Sequence, residues 1–532
     1  MPSTLNGLTI QFKNARQEKR NRLLAAASAG ALMIASTPGV GVYGGRARAQ
    51  ALPAGCADPV TTGSPNDNDG IADNGETITC LAPAPTTIGG ITTTVDDLTL
   101  VIGDSATPTS VNNPSGDGIA LNGIGDQRLT VVEGSSVYGD YRGVYARGFG
   151  GNTTGITVES SGTIEGFMTG VEVVNTGVGN VDVDVVDVSG RTGISASSLS
   201  QATDLNITSS GTVRGSLGYG ISARNEGTGS VLIDVQNVYA DREAVRLRTA
   251  EPSTDASVIV RGTASSAFTL FSGAVDVSHR GSGALSVSVL NAIGDDVGIR
   301  ARSDFGSGMT IVSTGYADGS VNGIYGNNAG YGALTINAND ATGGVRGIRA
   351  FMELSGTDLS VVVAGKATGI SSNGVDARSY GTGFLSVTTL NTIGGFDGIY
   401  ADNFYTGTDL TIVSTGYSTG GNNGISARND GSGALTITAN DATGGQNGVR
   451  AIKSRNGTDL SVTVTGTATG TNNDGVNADN YGTGALSITA LNAIGGDDGL
   501  DGDNSVNGTD LTIVSTGYAT GGDNGITGNN AG

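Results

Sequence analysis

The sequence contains no tryptophan and one histidine, and aromatic residues make up only 5% of it. An ordinary globular core of this size would carry more rings and some helical periodicity. No stretch after residue 51 has the 3.6-residue period of a helix. The histidine, His279, falls between two repeated segments, so neither a histidine-based triad nor a histidine-rich metal site is expected. Charged residues are sparse, at 14%, and prolines number 10 against 90 glycines. Abundant glycine with little proline indicates many tight turns and argues against a flexible linker. Cations are outnumbered by acids, 28 to 49, for a net charge of -21. The first 51 residues carry seven basic residues and one acidic residue, leaving about -27 on the remainder. Such a chain repels nucleic acid and anionic headgroups, so no nucleic-acid partner is expected.

What the sequence has is self-similarity. Gly381-Thr-Gly-Phe-Leu-Ser-Val-Thr-Thr-Leu-Asn-Thr-Ile-Gly394 returns as Gly482-Thr-Gly-Ala-Leu-Ser-Ile-Thr-Ala-Leu-Asn-Ala-Ile-Gly495, 101 residues on, and an earlier copy begins at Gly281. Thr-Ile-Val-Ser-Thr-Gly-Tyr starts at Thr310, Thr411 and Thr512, at the same spacing. The long period divides into four units, with equivalent segments at Leu385, Leu410, Leu435 and Leu460, 25 residues apart. Each unit alternates apolar and polar residues, as in Leu460-Ser-Val-Thr-Val-Thr465, which marks a strand with one buried face. A second short alternating segment follows (Ile399 with Ala401, Ile425 with Ala427, Val449 with Ala451, Val476 with Ala478). Glycine-rich turns separate the two. Such a unit cannot bury its own apolar face, but a stack of units can. The fold class is therefore all-β, a right-handed parallel β-helix of ~25-residue coils with a 101-residue super-repeat. Residues 98–532 give about 17 coils and a rod of roughly 80 Å.

Three segments make up the chain. Residues 1–51 read as an export signal, with a basic region (Lys13, Arg16, Lys19, Arg20, Arg22), an apolar stretch from Leu23 to Ser36, and cleavage near Ala49 or Ala51. Residues 52–97 read as a cap over the first coil, closed by a Cys56–Cys80 disulfide. Residues 98–532 form the repeat region, which breaks off in mid-repeat: Asn529-Asn-Ala-Gly532 matches Asn327-Asn-Ala-Gly330, which runs on into Tyr331.

Few residues are candidates for chemistry. Asp67, Asp69 and Asp73 have the spacing of a D-x-D-G calcium loop, but Pro65 stands where a ligand belongs, and an acidic turn is the alternative. Gly495-Gly-Asp-Asp-Gly-Leu-Asp-Gly502 lacks the period of nine that a calcium-binding nonapeptide array demands. Arg300, Arg349 and Arg450 recur in the second strand with no acidic partner recurring beside them. The clustered carboxylates of a polysaccharide-cleaving site are missing from the pattern, so no enzymatic activity and no cofactor are expected. Outward positions of the first strands (Ser386, Thr388, Thr411, Thr436, Thr438, Ser461, Thr463) would stack into a hydroxyl ladder, with loops near Asn422, Gln446 and Asn472 as further contacts. Thr also simply suits a solvated strand.

The basic signal, the Cys-containing stretch ending Glu76-Thr-Ile-Thr-Cys80, and the Gly/Thr/Asn-rich coils together resemble the passenger region of bacterial autotransporters, the type V secretion class. The resemblance covers essentially the whole chain, as pattern and not as one motif. It implies export, display at the cell surface or outer membrane or release outside the cell, an adhesin-like stalk role, and an outer-membrane translocator barrel as partner. That barrel would lie in a missing C-terminus or on a separate chain, as in two-partner secretion. A host or surface glycan or protein is the other expected partner; a glycan- or ice-binding β-solenoid is the alternative.

Overall fold

The computed structural model describes residues 50–52, 54–57, 71–72, 74–82, 86–150, 152–267 and 273–532. The described residues belong to one compact unit. Among the described residues there is no helix, and the strands are stacked as a parallel β-solenoid. From Gly155 on, each coil contributes one long strand to a first sheet and one short strand to a second; before that the long strand is split in two. The second sheet holds eighteen strands, from Ile91–Thr93 to Asn524–Asn530. With rungs ~4.8 Å apart the stack is roughly 80 Å long.

Register follows the repeat. Leu385 pairs with Leu410, Leu410 with Leu435, Leu435 with Leu460 and Leu460 with Leu486. In the second sheet Ile399, Ile425, Val449, Val476 and Leu500 align one above another. All ten are fully buried, so the inward files form one continuous apolar core. Stacking starts early. Thr77–Cys80 already pairs in parallel with Thr99–Ile102, inside the stretch expected as cap. Cys56 faces Cys80 across a short antiparallel pair, and the two are disulfide-bonded with Cα atoms 3.9 Å apart.

Two recurring devices hold the coils. Each long strand is bent by a bulge, as between Thr389 and Thr392, and a bulge frees a backbone N–H. An Asx side chain in the coil before supplies the acceptor: Asp340 Oδ1 takes the Lys366 N–H at 2.8 Å, and Asp441 Oδ1 the Thr467 N–H at 2.9 Å. The second device is a polar file inside the core, at the ends of second-sheet strands. Asn175, Asn225, Asn328, Asn429 and Asn480 each accept the N–H two residues on (2.8–3.1 Å), and Asn480 Nδ2 also reaches Asn504 Oδ1 one coil further. This is side-chain capping of the turn that follows, carried out inside the rod.

His279 belongs to this file. It is the last residue of the Gly273–His279 strand and is 0% exposed, which corrects its placement between coils. Thr249 Oγ1 accepts the Arg280 N–H at 3.0 Å and lies 2.9 Å from His279 Nδ1, while Nε2 lies 3.3 Å from Gly283 O. That arrangement suits Nδ1 as acceptor and Nε2–H as donor, the neutral ring doing what asparagine does elsewhere. Burial pushes its pKa below the ordinary value, opposed by the Gly283 hydrogen bond and by Asp255 and Asp304. The unfolded chain therefore takes up this proton first, near pH 6.5. Stability is expected to fall as pH drops from there toward the folded-state value, by at most about 1.4 kcal/mol per unit. His279→Asn should flatten that slope between pH 6.5 and 5 in urea titrations; equal slopes would show that another group is responsible.

Candidate functional site

The 101-residue copies share most of their core and differ most on one face. On the first sheet Ser386, Thr388, Thr411 and Val413 are matched one copy later by Ser487, Thr489, Thr512 and Val514. Inward second-sheet residues also hold, as with Val375 and Ala377 against Val476 and Ala478. Most outward residues of the second sheet and of the turn after it do not, although Arg349 and Asp402 return as Arg450 and Asp503. Phe351, Arg378, Tyr400, Phe404 and Tyr405 are replaced by Ile452, Asp479, Asp501, Ser505 and Val506. The face that changes most between copies is the place to look for binding.

The strands Asn322–Asn328, Arg346–Met352, Val375–Ser379 and Asp397–Asn403 build the earlier version of this face. One outward column reads Tyr325, Arg349, Asp376, Tyr400, and the next Asn327, Phe351, Arg378, Asp402. Asp376 is 1% exposed and takes Arg346 Nε and Arg378 Nε, each at 2.8 Å. Arg378 lies over the Tyr400 ring, 4.8 Å from its centroid, and Arg349 over Tyr325 at 5.3 Å; both are cation–π contacts. Asp402 sits between Arg378 and Arg428 in its column, yet each arginine pairs along its own strand, with Asp376 and Asp430. Tyr400 Oη donates to Asp402 Oδ2 at 3.3 Å, and Asp402 Oδ1 is buried without a partner. Burial first, then Asp430, pushes the Asp402 carboxyl above the usual range.

Rings converge at the corner beside this face. Phe351 lies 5.3 Å from Tyr380, and Tyr380 stacks on Phe404 at 3.7 Å, on three successive coils. Tyr405 next to them is 65% exposed and Tyr331 is 68% exposed. Ten of the chain's 25 aromatic residues lie between Tyr316 and Tyr405.

One copy later the same face is polar and acidic. Asn422, Asn423, Gln446, Asn447 and Asn473 line a groove of about 390 Å³ with Arg450, Asn477 and Asp479. Asn422 and Gln446 of the loops singled out in the sequence are brought together there; Asn472 is not, and donates to Gly445 O at 2.7 Å. Burial, then Asp503, Asp474, Asp498 and Asp479, pushes the Asp501 carboxyl up to about 6.

The hydroxyl candidates do form files. Ser386, Thr411, Thr436 and Ser461 align in one half-exposed file of the first sheet, and Thr388, Thr438 and Thr463 in the next, interrupted by Val413. Asp67, Asp69, Asp73 and Ala49 lie outside the described residues, and Ala51 lies in a two-residue strand. Arg300 has acidic partners after all, from the preceding turn (Asp296, 2.5 Å) and the neighbouring coil (Asp276, 3.8 Å), which a reading along one strand misses. Among the described residues no group of three or more His, Cys, Asp or Glu side chains is placed to hold a metal, and no helix is long and apolar enough to cross a membrane. The aromatic corner is not apparent along the sequence, although comparing outward positions between the copies would have found it.

Fold and face together define a parallel β-solenoid with one variable, ring-bearing surface. No family model, no curated protein and no solved structure matches the chain.

Proposed function

We propose that the protein is an exported rod of the autotransporter-passenger kind, held at the bacterial surface or released from it, with a structural and adhesive role and no catalysis. The observation that carries this reading is the stack of coils whose core is largely kept while one outward face varies most between duplicated copies. Stacking gives reach and stiffness and lets folding propagate coil by coil, which suits a chain that folds after passage across a membrane. The basic and apolar N-terminal segment supports export. The translocator barrel is the partner this reading requires, in the same polypeptide or on another.

The test is antibody labelling of intact cells of the source organism, with and without the gene, alongside a count of cells attached to a surface. Labelled cells that attach more than the deletion strain are the expected result. Antigen found only after lysis would overturn export, and surface antigen with unchanged attachment would overturn adhesion. Antigen in the medium would select the released, two-partner form.

A further inference from the structure

We infer that the aromatic corner formed by Phe351, Tyr380 and Phe404 is a binding site for a neutral, linear glycan. This deepens the adhesive reading and rests on it for its biological setting.

Three observations converge. First, the rings sit on three successive coils, with Phe351 5.3 Å from Tyr380 and Tyr380 3.7 Å from Phe404. They make an apolar ridge running along the rod. Its rung step of ~4.8 Å is close to the length of one pyranose unit, so successive sugars would meet successive rings, Tyr380 and Phe404 at matching places in their coils and Phe351 two residues earlier in its own. Sugar C–H faces pack on ring carbon, and the Tyr hydroxyl gives the ridge a polar handle.

Second, the column that contains Phe351 holds two acceptors in want of a donor. Asn327 Oδ1 and Asp402 Oδ1 are both buried without a partner, on side chains each 7% exposed, and they bracket Phe351 and Arg378. An unmatched buried acceptor is costly. A sugar hydroxyl is a donor that answers it once the side chain turns outward, since neither oxygen is open to solvent as it stands.

Third, the arginines of this face are engaged, Arg349 over the Tyr325 ring among them. Arg346 and Arg378 are both spent on Asp376, and the chain as a whole carries -21. An anionic polymer would meet general repulsion and no concentrated cationic site, whereas an uncharged glycan meets none.

The experiment uses the purified full-length chain, with neutral oligosaccharides of about two to six units (gluco-, manno- and galacto- series) and polygalacturonate as the anionic probe, read by calorimetry. Affinity for at least one neutral series is expected to rise with length up to about three units and then level. Phe404→Ser and Phe351→Ile are each expected to weaken it by about tenfold. The later copy carries Ser505 and Ile452 at these positions in the same fold, so both variants should fold, as circular dichroism will show. Thr438→Ala, on the other sheet, should bind as the wild type does. No binding by any neutral series, equal binding by the two ring variants and the wild type, or preference for polygalacturonate would each overturn the site. Beads coated with the chain separate the two readings. Wild-type and Phe404→Ser beads attaching equally to cells, with no oligosaccharide binding, would sink the glycan site and leave adhesion standing. Oligosaccharide binding without bead attachment would do the reverse.

Discussion

Replacing Gly424 by valine is expected to lower stability by about 3 kcal/mol or more, and Gly424→Ala by about 1 kcal/mol. Gly424 lies at the start of a second-sheet strand, one coil from Gly448, and a Cβ built on it would lie 2.6 Å from the Gly448 carbonyl oxygen. The obstacle is backbone. That carbonyl is fixed because Gly448 O accepts the Ile425 N–H at 3.0 Å. The same contact recurs along the rod: Gly398 meets Gly424 O at 2.5 Å, and Gly475 meets Gly499 O at 2.6 Å. A branched side chain must therefore push neighbouring coils apart and break ladder hydrogen bonds on both. Alanine is a milder case, because Ala244 and Ala274 are fully buried in the same file and are accommodated. Urea unfolding of the full chain followed by circular dichroism will measure both. A valine variant with an unchanged midpoint would show that the stack breathes at this point and that the file is not steric in origin.

These glycines show how far the sequence could be read and where it stopped. Leu385, Leu410, Leu435 and Leu460 were legible as one core file because spacing alone fixes parallel register in a repeat, and the observed partners are those the 25-residue offset dictates. The glycine before each second strand was legible only as a turn residue. Its steric role depends on a carbonyl 24 residues away, as between Gly424 and Gly448. The internal file of Asn, His279 and Lys453 was hidden for another reason. Period-two alternation sorts residues by polarity, and these side chains are polar yet point inward. They satisfy turn backbone that would otherwise be buried unpaired, a need that exists only once coils close.

The candidate face was hidden by topology. Phe351 is in a strand, Tyr380 and Phe404 are in the turns after two later strands, and 53 residues separate the first ring from the last. Only stacking brings them into contact. The hydroxyl file of Ser386, Thr411 and Thr436 was easier to see, because each member lies at the same place in its own strand. Yet the Ser386 and Thr411 positions return unchanged in the next copy as Ser487 and Thr512, as solvated strand surface would.

The second large effect concerns Lys453, and its signature is a change of sign with pH. Lys453 is 0% exposed and stands in the polar file between Asn429 and Asn480. Its Nζ donates to Asn429 O at 3.0 Å and Gly431 O at 2.6 Å. Burial lowers its pKa to about 8, and the carboxylates of Asp430 and Asp409 recover only some of the loss. In the unfolded chain the group titrates near 10.4, so between about pH 8 and 10.4 the unfolded state holds the extra proton. Stability must rise with pH across that window. Below pH 8 the buried charge costs about 3 kcal/mol; above 10.4 that cost is gone. Methionine fits the position, since Met352 occupies it one copy earlier and is itself fully buried. It cannot donate to the two carbonyls, a loss of about 1–2 kcal/mol. Lys453→Met is therefore expected to be more stable than the wild type at pH 7 by about 1–2 kcal/mol and less stable above about pH 10. Urea midpoints of the two proteins, measured side by side from pH 7 to 10.5, should cross. Parallel curves would mean that Lys453 keeps its proton as readily in the rod as in water, through solvent that reaches Nζ along the polar file.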